Sequence, residues 1–538
     1  MYTNSKPSTC AWRDPLFLAI LALGAFLIFY KLGDRPFWQD EGETAALAKN
    51  VLKTGLPYSY DGVNVVSQEE RREFDADYLW RWSPWLQIYM SAAGLAIGGM
   101  NTFSGRFFFA LTGLACIAGT YLLVRKRFGD RAWALVSAAL LTGNVTFLLF
   151  ARQGRYYSAG GLILLAILWG FLGDWQKKTR PMLVIALGLG VLFHANYLLL
   201  ISLAPPLLVA AWLIYGETLD WKRIGLIILI SSTMIVPGMI LYRFGRQSAM
   251  FDVMVVPENL MLYFADWVMF MVPLPVLIAL AWRWRGFFLA LRAPVDPKER
   301  FCLFLTLIMV GSFLLLALVP QRFHRYIVHF YPACAIVLAW AGLKLWRFSK
   351  PSGVLFLVLV GLTNWLNLIP MERLKIVNRP WENDFRMLTS VNIPLKLHVT
   401  ELLQGYPVDV DQALIDFFNT HARPGQTILA EYDDMVLQFY TPFRVIGGLQ
   451  GPIDPSEKPD WVSMRRDLRV NRDGFLFAPR EFIRNHLDLE HDYERVPFDA
   501  PDETFGNRAD PYFHYFMPRG GPQQSLVIYK RKEAGHGQ

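Results

Sequence analysis

Two adjacent carboxylates, Asp40 and Glu41, follow the first long apolar run of the chain in "RPFWQDEGETAALAKNVLKTG" (35–55). An aspartate ionised at neutral pH can take a proton from an attacking hydroxyl, so this acid is equipped to act as a general base. Farther along, three short loops each hold a pair of arginines and no lysine. They are Arg152 and Arg155 in "RQGR", Arg243 and Arg246 in "RFGR", and Arg322 and Arg325 in "RFHR". A guanidinium grips two phosphate oxygens at once, which the point charge of lysine does not. Tyr156 stands beside Arg155, and His324 and Tyr326 add hydrogen-bonding groups to the third pair. Simpler roles compete at every position. Asp40 with Glu43 reads as a capping box, a role that does not call for Glu41. Arginines at helix ends also snorkel to lipid head groups.

The elements that must position these residues are mostly membrane helices. The chain is 54% hydrophobic with a mean hydropathy of +0.27, too apolar for a soluble multidomain protein. Apolar runs recur near 15–30, 106–124, 132–150, 156–173, 181–193, 197–215, 224–242, 262–282, 301–320, 327–343 and 353–370. The clear ones approach the roughly 20 residues that cross a hydrocarbon core. The first has basic residues before it but no small-residue cleavage site after it, so it reads as a retained helix. The pair around "FHANY" (193–197) reads either as two spans or as one re-entrant unit.

Orientation follows from the basic loops. When "WSPWLQIYMSAAGLAIGG" (82–99) lies at the interface instead of crossing, "RKRFGDR", "DWQKKTR", "DWKR" and "KLWRFSK" all face the cytoplasm. The expectation is about eleven spans, N-terminus inside and C-terminus outside. The net charge of +8 then reflects topology and does not point to nucleic acid. The loop 32–105 and all three arginine pairs fall outside, where the positive-inside rule disfavours them. Trp38 and Trp82 suit interfacial depth and could border a sugar.

The polar tail reads as a folded α/β domain. "QTILAEY" (426–432) and "FRVIGG" (443–448) look like strands, "DDMVLQFY" (433–440) like a helix between them, and "DVDQALIDFFNTHARPG" (409–425) like an amphipathic helix. "PFDAPDETFGNRADPYFHYFMPRGGP" (497–522) is turn-rich. The expected division is 1–370 as the membrane catalytic domain and 371–538 as a periplasmic α/β domain. None of Cys10, Cys116, Cys302 and Cys334 lies in the tail, which excludes a disulfide framework there. No compact His/Asp/Glu cluster suggests a metal, and His194 stands alone near a helix end.

The cytoplasmic loops are too short for a nucleotide-binding domain, and "GLG" (188–190) lies inside an apolar helix. An outward-facing membrane transferase would therefore use a lipid-linked donor, whose phosphate leaves as an anion and needs only positive charge nearby. The Asp-Glu pair after the first span, the "SPW" helix and "SGRFFFALTGLACIAGTYLLVRKRFGDRAWALVSAALL" resemble the GT-C glycosyltransferases, nearest to the protein O-mannosyltransferases and lipid A aminoarabinose transferases. The resemblance covers about 10–370. It implies the GT-C fold, inverting transfer of a sugar from a polyprenyl phosphate to a lipid, glycan or protein acceptor, no cofactor, and a place in the bacterial inner membrane. It also implies that Asp40 is the catalytic carboxylate with Glu41 beside it, and that "QRFHRYIVHFYP" (321–332) lies near the carrier phosphate. The loop that often supplies a second acid in that group reads "ARQGRYYSAGG" (151–161) here, with no carboxylate. That shifts weight to Arg155 and Tyr156 as donor contacts. The rival is a lipid-linked-sugar flippase, which predicts intramembrane acids and inverted repeats; neither is evident in the sequence.

Overall fold

The structure is a computed structural model that describes residues 13–245, 251–272, 274–289, 296–362, 395–405, 409–465, 477–500 and 526–533. In chain order the helices are α1 (Pro15–Phe29), α2 (Gln39–Thr54), α3 (Leu86–Gly98), α4 (Thr102–Phe128), α5 (Arg131–Gly143), α6 (Val145–Ala151) and α7 (Tyr157–Phe171). They continue with α8 (Thr179–Ala195), α9 (Tyr197–Tyr215), α10 (Trp221–Leu241), α11 (Val256–Phe270), α12 (Leu274–Leu289), α13 (Pro297–Leu316), α14 (Tyr331–Phe348) and α15 (Lys350–Leu362). The polar region holds α16 (Leu395–Gln404), α17 (Val410–His421), α18 (Asp434–Tyr440) and α19 (Phe477–His486). Its strands are β1 (Thr427–Ala430), β2 (Arg444–Gly447), β3 (Trp461–Met464), β4 (Tyr493–Val496) and β5 (Val527–Arg531).

Two compact units emerge, and they do not follow the expected cut at 370. The first comprises Met1–Tyr30 and Phe109–Leu403; the second comprises Lys31–Phe108 and Gln404–Gln538. The loop expected to belong to the membrane domain therefore packs with the C-terminal α/β region. Its apolar faces find their burial there: Phe37, Leu47, Val51, Trp80 and Ile88 share one core with Met435 and Phe439.

The first unit is a helical bundle. Helices α4, α9, α10 and α13, and the run Val328–Phe348, are long and apolar enough to cross a membrane; α1, α7 and α8 are shorter apolar helices, as is α3 in the second unit. Helices α5 and α6 together reach span length but bend by 69°. The bend falls where Asn144 leaves helical geometry and its side chain accepts from the Phe147 N–H at 2.8 Å, starting a new helix. The run expected as one helix over 262–282 is two, α11 and α12. The sequence supplies the reason in Pro273 and Pro275, because the residue before a proline is pushed out of the α region. At "FHANY" the chain makes two helices, Asn196 capping the second through the Leu198 N–H at 2.8 Å.

The second unit carries a five-stranded sheet in the order β2-β1-β3-β5-β4. Strands β2, β1 and β3 run parallel; β5 is antiparallel to both β3 and β4. Side chains alternate across it. Ile428 and Ala430 join α17 and α18 on one face, whereas Leu429 joins Phe482 and Ile483 of α19 on the other. The layers are therefore α/β/α. The expected helix, strand, helix, strand succession over 409–448 matches α17, β1, α18 and β2. The turn-rich stretch 497–522 lies mostly outside the described residues.

Candidate active site

Asp40 sits half-buried in the first turn of α2, where the helix dipole favours a negative side chain. Its cap is not the expected one. Glu41 supplies it, its Oε2 accepting from the Trp38 N–H at 3.4 Å. Glu41 is also the partner of Arg106, whose Nε donates to Oε1 at 2.8 Å and whose Nη2 donates to Oε2 at 2.6 Å. The same guanidinium donates to the carbonyls of Leu32, Arg35 and Pro36. With Glu41 only 1% exposed, this buried pair ties the approach segment to α2. Glu41 thus fixes the helix start on which Asp40 sits. Sequence reading missed Arg106, which is 65 residues away.

Other acids border Asp40. Burial, and then the charge of Glu73, raise Glu69 to about 7; Glu43 and Asp40 add smaller pushes in the same direction against the pull of Arg72. Gln68 donates to Glu43 at 2.7 Å and Ser67 to Glu73 at 2.8 Å. Trp38 is buried at the helix start, while Trp82 is half-buried with Arg72 over its ring at 5.9 Å.

The arginines lie in the first unit and divide among several environments. Arg155, Arg325 and Tyr326 all lie within electrostatic reach of the buried Tyr156 phenol, so these four predicted residues share one neighbourhood. Arg325 is half-buried with its guanidinium 4.1 Å from the Phe323 ring centre. Arg322, expected with Arg325 as a phosphate contact, donates from Nη1 to Asp266 Oδ2 at 2.6 Å. The His324 Nδ1 lies 3.6 Å from the same oxygen, its Nε2 is 3.0 Å from the Tyr331 hydroxyl, and its ring stacks on Phe150. Asp266 is the residue sequence reading passed over: it stands inside the apolar run 262–282, where no acid was expected. A lone acid in an apolar run was the available signal.

Arg152 serves the end of α1: its Nη1 donates to the carbonyls of Leu27, Ile28 and Tyr30 at 3.1, 2.8 and 2.9 Å. Those are the carbonyls a helix C-terminus leaves unsatisfied. Beside it, Gln153 is 2% exposed and its amide atoms have no hydrogen-bond partner among the described residues. Arg243 is exposed past α10, where its neighbours Tyr242 and Phe244 pack on Phe193. Arg246 lies outside the described residues. His194 is held by the Tyr242 hydroxyl at 2.8 Å and the Met234 carbonyl at 3.2 Å. Among the described residues no group of three or more His, Cys, Asp or Glu side chains is placed to hold a metal ion.

This architecture has solved counterparts. ArnT from Cupriavidus metallidurans, in a crystal structure bound to undecaprenyl phosphate, superposes with a TM-score of 0.56 over 82% of this chain and 86% of its own, at 15% identity. The apo form of that protein gives 0.53 over 84% and 92%, at 17% identity. The chain has the GT-C fold. The family described as dolichyl-phosphate-mannose-protein mannosyltransferase matches residues 83–241, so that stretch of the chain is similar to it. An uncharacterized protein of Aquifex aeolicus is 32% identical over 139 residues, so the chain spans a quarter of the length of that relative.

Proposed function

We propose that this protein is an inverting glycosyltransferase that moves a sugar from a polyprenyl phosphate to an extracytoplasmic acceptor (a lipid, a glycan or a protein) at the bacterial inner membrane. The observation that carries the proposal is the gathering of Arg155, Tyr156, Arg325 and Tyr326 in a GT-C fold whose ArnT counterpart was crystallised with undecaprenyl phosphate. In the reaction the acceptor oxygen attacks the anomeric carbon. The carbon–oxygen bond to phosphate breaks, and its electron pair leaves with the polyprenyl phosphate. Asp40 takes the acceptor proton, and Glu41 keeps Asp40 in place through Arg106. Arg155 and Arg325 stabilise the departing phosphate charge. Arg322 and His324 support that group from their shared contact with Asp266.

A flippase is the second reading, and Asp266 is the observation in its favour, since acids within apolar helices mark transport paths. Its pairing with Arg322 gives it a local counter-charge and a structural role instead. The deciding experiment uses Asp40→Asn in purified protein with a polyprenyl-phosphate sugar. Lost turnover with retained donor binding supports the transferase; undiminished turnover overturns it.

A further inference from the structure

In open α/β sheets the carboxyl ends of parallel strands, at the point where successive helices go to opposite faces, form the crevice that binds ligands. Here that point lies between β1, followed by α18 on one face, and β3, with α19 on the other. The crevice is filled by protein. Glu431, just past β1, accepts from the Arg465 N–H at 2.6 Å and from Arg480 Nε at 2.7 Å, and Asp433 pairs with Arg465. The next residue, Asp434, is fully buried and receives Gln450 Nε2 at 2.8 Å and Gln39 Nε2 at 2.6 Å. Gln39 opens α2, directly before Asp40.

The surrounding contacts fix the same short segment. Arg35 donates to Asp409 at 3.2 Å, the Phe37 N–H to the Tyr440 hydroxyl at 3.0 Å, and that hydroxyl lies 2.6 Å from Thr102 Oγ1. Gly42 lies so close to α18 that a Cβ there would come 2.9 Å from the Met435 carbonyl carbon, closer than real Cβ atoms approach. At Gly448, φ is +52° and an added Cβ would run into the Asp434 carboxylate. Two glycines, two glutamines and one carboxylate therefore shape the seat of the helix that carries Asp40.

We infer that the α/β domain positions the catalytic carboxylate, with Asp434 and Gln39 as positioning residues that seat the first turn of α2 on the sheet's carboxyl edge. The place where such a sheet would hold a substrate is taken by the chain's own acid-bearing helix. The inference rests on Asp40 being the base. A displacement of about 1 Å at a reacting group can cost on the order of 100-fold in rate, so loosening this seat acts on turnover.

The test compares Gln39→Met, Asp434→Asn, the double variant Gln39→Glu/Asp434→Asn, and Asp40→Asn, all in the full chain with a polyprenyl-phosphate sugar as donor. The single seat variants should lower kcat about 10- to 100-fold with the donor KM within about twofold. The double variant exchanges the amide and the carboxylate between the two positions. The amide placed at position 434 can accept from Gln450 and donate to the carboxylate placed at position 39, so at least tenfold of the loss should be recovered. If Asp40→Asn is inactive but Gln39→Met turns over at the wild-type rate, the positioning role is overturned and the base stands. If kcat, KM and melting temperature fall together without rescue in the double variant, the contacts only hold the fold and the inference is again overturned. If Asp40→Asn stays active, the reading of Asp40 fails, and the inference with it.

Discussion

Replacing either member of the Glu41–Arg106 pair tests whether Glu41 acts through structure. In Arg106→Met the Glu41 carboxylate, 1% exposed, loses its counter-ion, and breaking one side of a buried pair costs about 3–5 kcal/mol. The carbonyls of Leu32, Arg35 and Pro36 lose their donor as well, bringing the total to about 4–6 kcal/mol. In Glu41→Gln the shape persists and Arg106 keeps those carbonyls, so the loss is about 2–3 kcal/mol. In a unit of this size each 1 kcal/mol lowers the melting temperature by about 2–4 °C. Arg106→Met should therefore melt about 10–20 °C lower and Glu41→Gln about 5–10 °C lower, read by tryptophan fluorescence in detergent at one fixed scan rate. Glu41→Leu/Arg106→Met should melt above Arg106→Met alone, because no uncompensated charge remains. Glu41→Gln protein that is still folded should keep kcat within a few-fold. A variant that melts like wild type but loses kcat by about 100-fold would refute the reasoning and make Glu41 a chemical group.

The arginines should separate by role. Arg152→Ala should destabilise the first unit by about 2–3 kcal/mol, seen as a lower melting temperature, and leave polyprenyl-phosphate affinity within about twofold. Arg155→Ala and Arg325→Ala should instead weaken that affinity about tenfold or more in a titration, each removing a charge-assisted contact. Asp266→Leu should cost about 3 kcal/mol by stranding Arg322, and adding Arg322→Leu should recover at least half of it in the same melting assay. Burial raises the Asp434 carboxyl to about 6, against the donated bonds of Gln450 and Gln39. The folded state thus binds a proton more tightly than the unfolded one. That stabilisation is present below pH ~4 and lost as pH rises through about 6, by up to ~3 kcal/mol. The wild-type melting temperature, relative to Asp434→Asn, should fall over that window; a constant difference would contradict it.

Local signals were legible wherever neighbours in the chain are neighbours in space. The strand-helix-strand succession of β1, α18 and β2 could be read because period and turn residues lie within a few positions. The break between α11 and α12 is equally local, written in two prolines that hydropathy does not register. The partner of Glu41 was not legible, since nothing near residue 41 marks Arg106. Nor was the destination of Arg152, whose pairing with the end of α1 depends on how two helices pack.

The sequence by itself determined a membrane protein with an acid after its first apolar run, arginines at helix ends and an α/β region in its tail, because apolar length and periodicity are local properties of the chain. Only the tertiary structure decided which charges meet, as Glu41 meets Arg106 and Arg322 meets Asp266. It also decided that residues 31–108 fold with 404–538. Those outcomes depend on burial, and burial depends on which distant surfaces close over a group, a quantity no short window of residues contains.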